Sequence, residues 1–432
     1  MRFDRDGLET SRYDASVFTP PDSPPSEARL PFASLQQGPG ELPRIEQEGT
    51  FRGRNAAETL DLLQPFLRRA GITRVAVVHG LDVIPIPVVM VTRPLSSSLS
   101  VTQGKGVTLE QAKVSGIMEA IEHFHAETVE GVVRLGSVRE LETADAAIDA
   151  HFPGRLPGFN ADVRCLWQRG FGLISQRARW VPFDLVHLDL RTHGRVFNPL
   201  FVPNSNGLAS GNCLREATVH ALYEVIERHS AYEFFRSPAE VQESRRVVLS
   251  SVYGDCSARL LRVLEEADVR VCVWDLTGNT GVATFLCELV GGDAELRPVP
   301  MARGFGSHAS PDVALTRAIC EAVQSRVTMI SGSRDDMTVR EHEYGYEERP
   351  RHTSEHHARG RRPATRLFRA VPSRDYGSFS EECEWLARTV ERLGFGEPIV
   401  VDLSKSGWPI HVVRVIVRRM VFEPALEGGE AP

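Results

Sequence analysis

Cysteine is scarce in this chain: 432 residues carry seven, with no CxxC and no regular spacing. That excludes a disulfide scaffold and is the usage expected of a reducing cytoplasm. Long apolar runs are missing too. The most hydrophobic stretch, 75–91, is broken by His79, Asp82, Pro85 and Pro87, so it is too short and too polar to span a bilayer. The first residues, MRFDRDGLETSRYDASVF, alternate in charge and lack the apolar core of an export signal. A basic excess is also absent. Fifty Lys and Arg against 57 Asp and Glu leave a formal net charge of −7, which argues against a broad surface for nucleic acid or anionic membrane. A soluble cytoplasmic protein with neither kind of partner is expected.

What is present is an ordinary globular balance, 42% hydrophobic and 25% charged, enough for a sizeable core. At roughly 150 residues per domain the length allows two or three domains, or one large one. Residues 1–45 are polar and proline-rich (TPPDSPPSEARLPF, QQGPGELP) and read as a flexible segment. A helix is expected over 56–69, with Pro65 kinking or splitting it. The β-branched runs ITRVAVVH and IPVVMVT read as strands. Helices follow over 108–128, 214–235 and 313–330, with strands at 269–276 and 283–290 and a strand-rich region over 163–203. This alternation indicates one large α/β (α+β) domain over 46–432. Residues 333–366 hold almost no aliphatic side chain and read as an exposed charged insertion. Their histidines, His342, His352, His356 and His357, are assigned no metal.

Three of these helices share a pattern. A helix advances about 100° per residue, so positions i, i+3, i+4 and i+7 lie on one face. In the first, Val114, Ile117, Ile121 and Phe124 form an apolar stripe opposite Ser115, Glu119 and Glu122. In the second, Val219, Leu222, Val225 and Ile226 face the core. Glu216, Glu224 and Glu227 gather on the other side with His220 and Tyr223. In the third, Arg317, Glu321 and Gln324 oppose Ile319, Cys320, Val323 and Val327. These stripes are either solvated faces or a site. They have almost no Lys at i+4, unlike the usual surface pairs. The first two follow segments that read as glycine- and serine-rich loops, SSSLSVTQGKG and PNSNGLASGN. Crowded carboxylates need a cation, and Mg²⁺ takes carboxylate oxygens while leaving room for phosphates. A Mg²⁺–nucleotide site therefore competes on equal terms with a solvated face.

Standard motifs for other chemistries are missing. Walker A would place Gly at position 99 and Ser or Thr at 106, where Leu99 and Gly106 stand. There is no G-x-S-x-G, and GFG at 304–306 continues as SHA, so no dinucleotide fingerprint follows. Cys320 falls on an apolar face and reads as core. The GKG around Lys105, and Asn206 and Asn212, read equally well as turn residues.

Taken together, GKGVTLEQAKVSGIMEAIEHFHAE (104–127), SNGLASGNCLREATVHALYEVIERHS (205–230) and ALTRAICEAVQSRV (314–327) resemble the YcaO-type ATP-utilising enzymes. The family's Ser-x-x-x-Glu-x-x-Glu helix, its Asn-rich glycine loop with Glu…Glu-x-x-Glu-Arg, and its Glu…Gln-x-Arg helix all occur in family order. The likeness covers about residues 90–425. It implies a YcaO-type fold, with mixed sheets and three Glu-bearing helices around a non-Walker ATP site. On the matching positions, Glu119, Glu122, Glu216, Glu224 and Glu227 would surround Mg²⁺ and phosphates. Lys105, Ser115, Asn206, Asn212, Arg228, Glu321, Gln324 and Arg326 would hold the nucleotide. Arg326 is the odd member, since it falls away from the third helix's polar stripe.

Such enzymes activate a backbone amide of a peptide by phosphorylating its oxygen, after which a nucleophile attacks the carbon. A side-chain thiol or hydroxyl gives an azoline, sulfide a thioamide and an amine an amidine. Azoline-forming members commonly end in Pro-x-Pro-x-Pro, whereas this chain ends FEPALEGGEAP with only Pro424 and Pro432. The wording MEAIE…HAE and SNGLASGN is similar to the subgroup that works beside a TfuA-type partner. The expectation is thioamide formation on a peptide or protein, by a homodimer with a TfuA-type partner. Azoline formation and a non-catalytic nucleotide-binding accessory protein are the alternatives.

Overall fold

The computed structural model describes residues 42–131, 133–142, 152–191, 199–291, 301–334 and 363–422. A short hairpin of β1 (Ile45–Gln47) and β2 (Thr50–Arg52) leads into α1 (Ala56–Leu63). Asn55 caps α1 in a capping box with Glu58, which satisfies amides the first turn leaves unpaired. The helix expected over 56–69 stops at Leu63 instead, and Pro65 lies in a tighter turn over Gln64–Phe66. Three antiparallel strands follow in the order β3 (Arg74–Val77), β4 (Val88–Thr92), β5 (Val101–Lys105). Next comes α2 (Leu109–Glu127), started by a capping box of Thr108 and Gln111.

The chain continues through β6 (Val133–Gly136), α3 (Val138–Glu142), β7 (Cys165–Gly172), β8 (Ala178–Pro182) and β9 (Leu208–Gly211) to the long α4 (Leu214–Arg236). After α5 (Ala239–Ser244) and α6 (Asp255–Glu266) come β10 (Val269–Asp275), β11 (Ala283–Gly291) and β12 (Met301–His308), an antiparallel sheet. α7 (Pro311–Ser331) follows, then α8 (Phe379–Arg392), β13 (Ile399–Asp402) and β14 (His411–Ile416). These last strands complete a sheet in the order β6-β7-β13-β14-β9, with β8 on β7.

One unit occurs three times. β5, β9 and β12 each lie at the end of their sheet, and each is followed by a long helix that packs on it, α2, α4 and α7. Each helix also touches the next strand of the set: α2 meets β9, α4 meets β12 and α7 meets β5. The three helices thus form a ring. One core lies beneath α2 and the large sheet, with Ile117, Ile121, Trp167 and Val412 fully enclosed. A second lies between α7 and its sheet, with Phe285, Leu315, Ile319 and Val323. Enclosing each such side chain is worth about 1.5–3 kcal/mol.

Two expectations change. The glycine–serine segments before the first two helices, expected as loops, contain strands, β5 and β9. Gly104 is needed for contact: a Cβ there would stand 2.0 Å from the Ala112 carbonyl and 2.2 Å from the Gly116 nitrogen. The GFG of 304–306 does the same for α7, since a Cβ on Gly304 would meet Ala322 N at 2.1 Å. The polar stripes are also not solvated faces. No residue of α7 is exposed, none of α2 after Glu110 is, and in α4 only Glu233 and Arg236, in its last turn, are.

The segments expected to be flexible, 1–45 and 333–366, lie mostly outside the described residues. At their described ends Arg44 pairs with Glu382 at 3.0 Å, and Arg366 pairs with Asp275 at 2.7 Å. The tail 423–432 lies outside the described residues as well. No described helix is long and apolar enough to cross a membrane.

Candidate functional site

The ring of helices turns its carboxylates toward one another. Glu119 and Glu122 come from α2, Glu224 and Glu227 from α4, and Glu321 from α7. Burial is the largest influence on each. It pushes Glu119 up to about 7 against the pull of Lys105. Glu227 also rises to about 7, from burial and then the charge of Glu321. Glu122 rises to about 8, although Ser210 on β9 donates both its N–H, at 2.8 Å, and its hydroxyl, at 2.5 Å, to one oxygen. Glu224 is raised by burial despite Arg228 and Arg414. Glu119 feels the charges of Glu224 and Glu321, and Glu122 those of Glu119 and Glu224. Like charges held together away from water are the condition a bound cation relieves.

Glu321 behaves differently. Burial alone would raise it, but Lys105 and Arg228 hold it below the usual range. The Lys105 ammonium, at the end of β5, donates to its Oε2 at 2.7 Å, and the Phe305 amide donates to its Oε1 at 3.2 Å. The Lys105 amide itself donates to Ser115 Oγ at 3.3 Å. Arg317, on the same face as Glu321, donates to His220 Nε2 at 3.0 Å. Burial, Arg317, Arg52 and Lys105 keep that imidazole neutral, well below its usual value. Arg52 reaches this side of the cluster from the hairpin, lying 3.7 Å from Glu216 and within the field of Arg317 and Glu122. Lys105, Arg52, Arg317 and Arg228 thus lie among the carboxylates and act on them.

Four anticipated residues have other partners, among them Asn212, whose Oδ1 accepts from Thr59 Oγ1 at 3.1 Å. Glu216 accepts from the Gly53 and Asn212 amides at 3.1 Å and 3.0 Å and from Asn212 Nδ2 at 3.4 Å. With both oxygens engaged, it ties the hairpin to the start of α4. Arg326 is paired with Asp82 through two nitrogens, at 2.6 Å and 3.2 Å. Asn206 donates its amide to Asn204 and lines a cleft behind α4. Gln324 bonds the Gln103 carbonyl of β5 at 3.3 Å and stays near Lys105 and Glu321. Arg317 was visible in its stripe but not assigned to the site. Ser210 lies in the quoted segment SNGLASGN but was not assigned, while Arg52 and Arg414 carried no local signal, because they come from strands far off in the chain.

Among the described residues, no three His, Cys, Asp or Glu side chains converge into a ready-made metal cage. The donors are hard carboxylate oxygens with cationic side chains among them. That set fits Mg²⁺ held by one or two carboxylates with phosphate oxygens completing its shell, and does not fit a closed Zn²⁺ site.

Comparison with known proteins agrees with this chemistry. The profile of the YcaO cyclodehydratase family, described as ATP- and Mg²⁺-binding, matches residues 103–421. An uncharacterized protein of Mycobacterium tuberculosis (strain ATCC 25618 / H37Rv) is 38% identical over 88% of this chain and 84% of its own length. A protein of Rhizobium leguminosarum bv. trifolii, named for its place in the tfuA 3′ region, is 33% identical over 89% of this chain and 93% of its own. Among solved structures, YcaO of Methanopyrus kandleri bound with AMPPCP and Mg²⁺ superposes with a TM-score of 0.69 at 24% identity, over 90% of this chain and 99% of that one. A heterocyclase in complex with substrate and cofactor gives 0.72 at 19% identity, over 89% of this chain, which spans only 54% of that protein. With its mixed α/β fold and a family match across most of its length, the chain belongs to the YcaO family, whose members bind ATP and Mg²⁺.

Proposed function

We propose that this protein uses Mg·ATP to activate a backbone amide of a peptide or protein and, beside a TfuA-type partner, converts it to a thioamide. The observation that carries the reading is the cluster of half-buried Glu119, Glu122 and Glu224 with buried Glu227, interspersed with Lys105, Arg317 and Arg228. Those four carboxylates would surround Mg²⁺, one or two of them ligating each ion, and the bound metal would neutralise phosphate charge. Glu216 would keep the hairpin and Arg52 in place. Lys105, Ser115, Asn212, Arg228 and Gln324 would orient the nucleotide, and Glu321 would hold the Lys105 ammonium toward it. The amide oxygen attacks the γ-phosphorus and ADP leaves. Hydrosulfide then adds to the activated carbon, and phosphate departs with the original oxygen. Amide oxygen is a poor leaving group and phosphate a good one, so the protein's work is positioning and charge neutralisation.

The tfuA-region name of the Rhizobium relative supports the sulfur reading. The family's cyclodehydratase description and the heterocyclase likeness support a second one, in which a substrate side chain attacks and an azoline forms with loss of water. Mass spectrometry separates them. The protein, candidate peptide, Mg·ATP, sulfide and partner should give a product heavier by one oxygen-for-sulfur exchange, whereas a product lighter by one water selects the azoline. Glu119→Gln and Glu227→Gln should each cut peptide-dependent ATP turnover about 100-fold or more. Turnover that survives both changes sinks the assignment. Sedimentation would measure the proposed homodimer.

A further inference from the structure

Arg317, on α7, stands among carboxylates and is paired with none of them. Its charge reaches Glu224 and Glu227, yet among the described residues its one hydrogen bond runs from Nη2 to His220 Nε2, at 3.0 Å. Lys105, by contrast, is engaged by Glu321 at 2.7 Å. Arg317 and His220 are both half-buried. No nitrogen of this guanidinium is enclosed without a partner, so the rest of its planar fork is open to a ligand.

An arginine can only donate, so His220 Nε2 must be the acceptor and the imidazole must be neutral. The surroundings agree, since burial and the nearby cations keep the ring well below its usual value. Its backbone neighbour is Ser210 on β9, the residue that also holds Glu122. A carboxylate in the place of this imidazole would orient the guanidinium and neutralise it as well. A neutral ring orients it and leaves the charge available. Arg52 and Lys105 each feel Arg317 as a like charge, and like charges drawn together call for a counter-ion, here an anion. In phosphoryl transfer an arginine aimed at the moving group is the recurrent means of balancing its charge. We infer that Arg317 contacts the γ-phosphoryl group of ATP as it passes to the amide oxygen, and that His220 is the residue that positions it. The inference rests on the amide-activation reading above and adds these two residues to it.

The test is calorimetry on the full chain with Mg·ADP and with Mg·AMPPCP, an ATP analogue whose γ-phosphate is not transferred. The unaltered protein should bind Mg·AMPPCP more tightly. Arg317→Gln should weaken Mg·AMPPCP about tenfold and leave Mg·ADP within about twofold. His220→Leu should give the same selective loss. His220→Gln, whose Oε1 reaches the place of Nε2 and accepts as it does, should restore most of it. Should Arg317→Gln fail to fold, Arg317→Lys keeps the charge without the planar fork and should show a selective loss of about threefold. Equal losses for the two nucleotides, no loss for either, or a His220→Gln protein as impaired as His220→Leu overturns the inference. Two failures are kept apart by the unaltered protein. If it binds neither nucleotide, the ATP reading falls and this inference with it. If it binds both and the variants show no selective loss, only the roles of Arg317 and His220 fall.

Discussion

A buried guanidinium is stable only beside an acceptor, and Arg326 has one in Asp82, with both side chains almost wholly enclosed. The motif Gln-x-Arg pointed Arg326 at the nucleotide, yet its place off the polar stripe already told against it. Asp82 lies 244 positions away, and no local pattern could have named it. Asp82→Asn should cost about 3 kcal/mol of stability, the effect of leaving a buried charge unpaired. Urea unfolding measures that loss, while calorimetry should show Mg·ATP affinity retained. A stable Asp82→Asn protein that no longer binds Mg·ATP would return Arg326 to the nucleotide. Glu216 teaches the same lesson, since its carboxylate stripe was legible but the donors that engage it were not.

At the scale of elements, the three Glu-bearing helices were legible to within two residues, whereas the first helix, expected over 56–69, ends at Leu63. Their periodicity, their caps at Thr108 and Asn55, and the break at Pro65 are local properties. α6 and α8 and the closing strands β13 and β14 were not singled out. The glycines were misread for a physical reason: a glycine that lets a helix touch a strand and a glycine that cradles phosphate look alike in a sequence. Gly104→Ala should destabilise the protein by about 3 kcal/mol, because its Cβ meets the backbone of α2. Gly80→Ala, where a Cβ meets nothing within 4 Å, should leave urea unfolding unchanged. Equal effects at the two positions would show that α2 and β5 are not in this contact.

For the whole molecule, the acidic cluster sets a pH dependence. Glu119, Glu122 and Glu227 carry values near 7 or 8, raised by burial from 4.5. A folded state that holds protons which the unfolded chain has lost gains stability at low pH and loses it as pH rises through those values. Burial holds His123 and His125 down at about 4, from 6.5, and the opposite trend this produces ends near neutrality. The melting temperature of the metal-free protein should therefore fall between about pH 7 and 8.5, and the stabilisation given by Mg·ATP should grow over the same range. A melting temperature that rises with pH in the absence of metal would contradict the burial of these carboxylates.

The sequence by itself determined the three helices, their acidic stripes and the family, because periodicity and motif order are short-range and survive without coordinates. It left open whether the stripes face water. Only the tertiary structure decided that, by placing three strand–helix units in a ring so that each stripe finds the others instead of solvent. The partners of Arg326, Glu216, Arg52 and Arg414 were decided there too, since chain segments hundreds of residues apart become neighbours only when the sheets close.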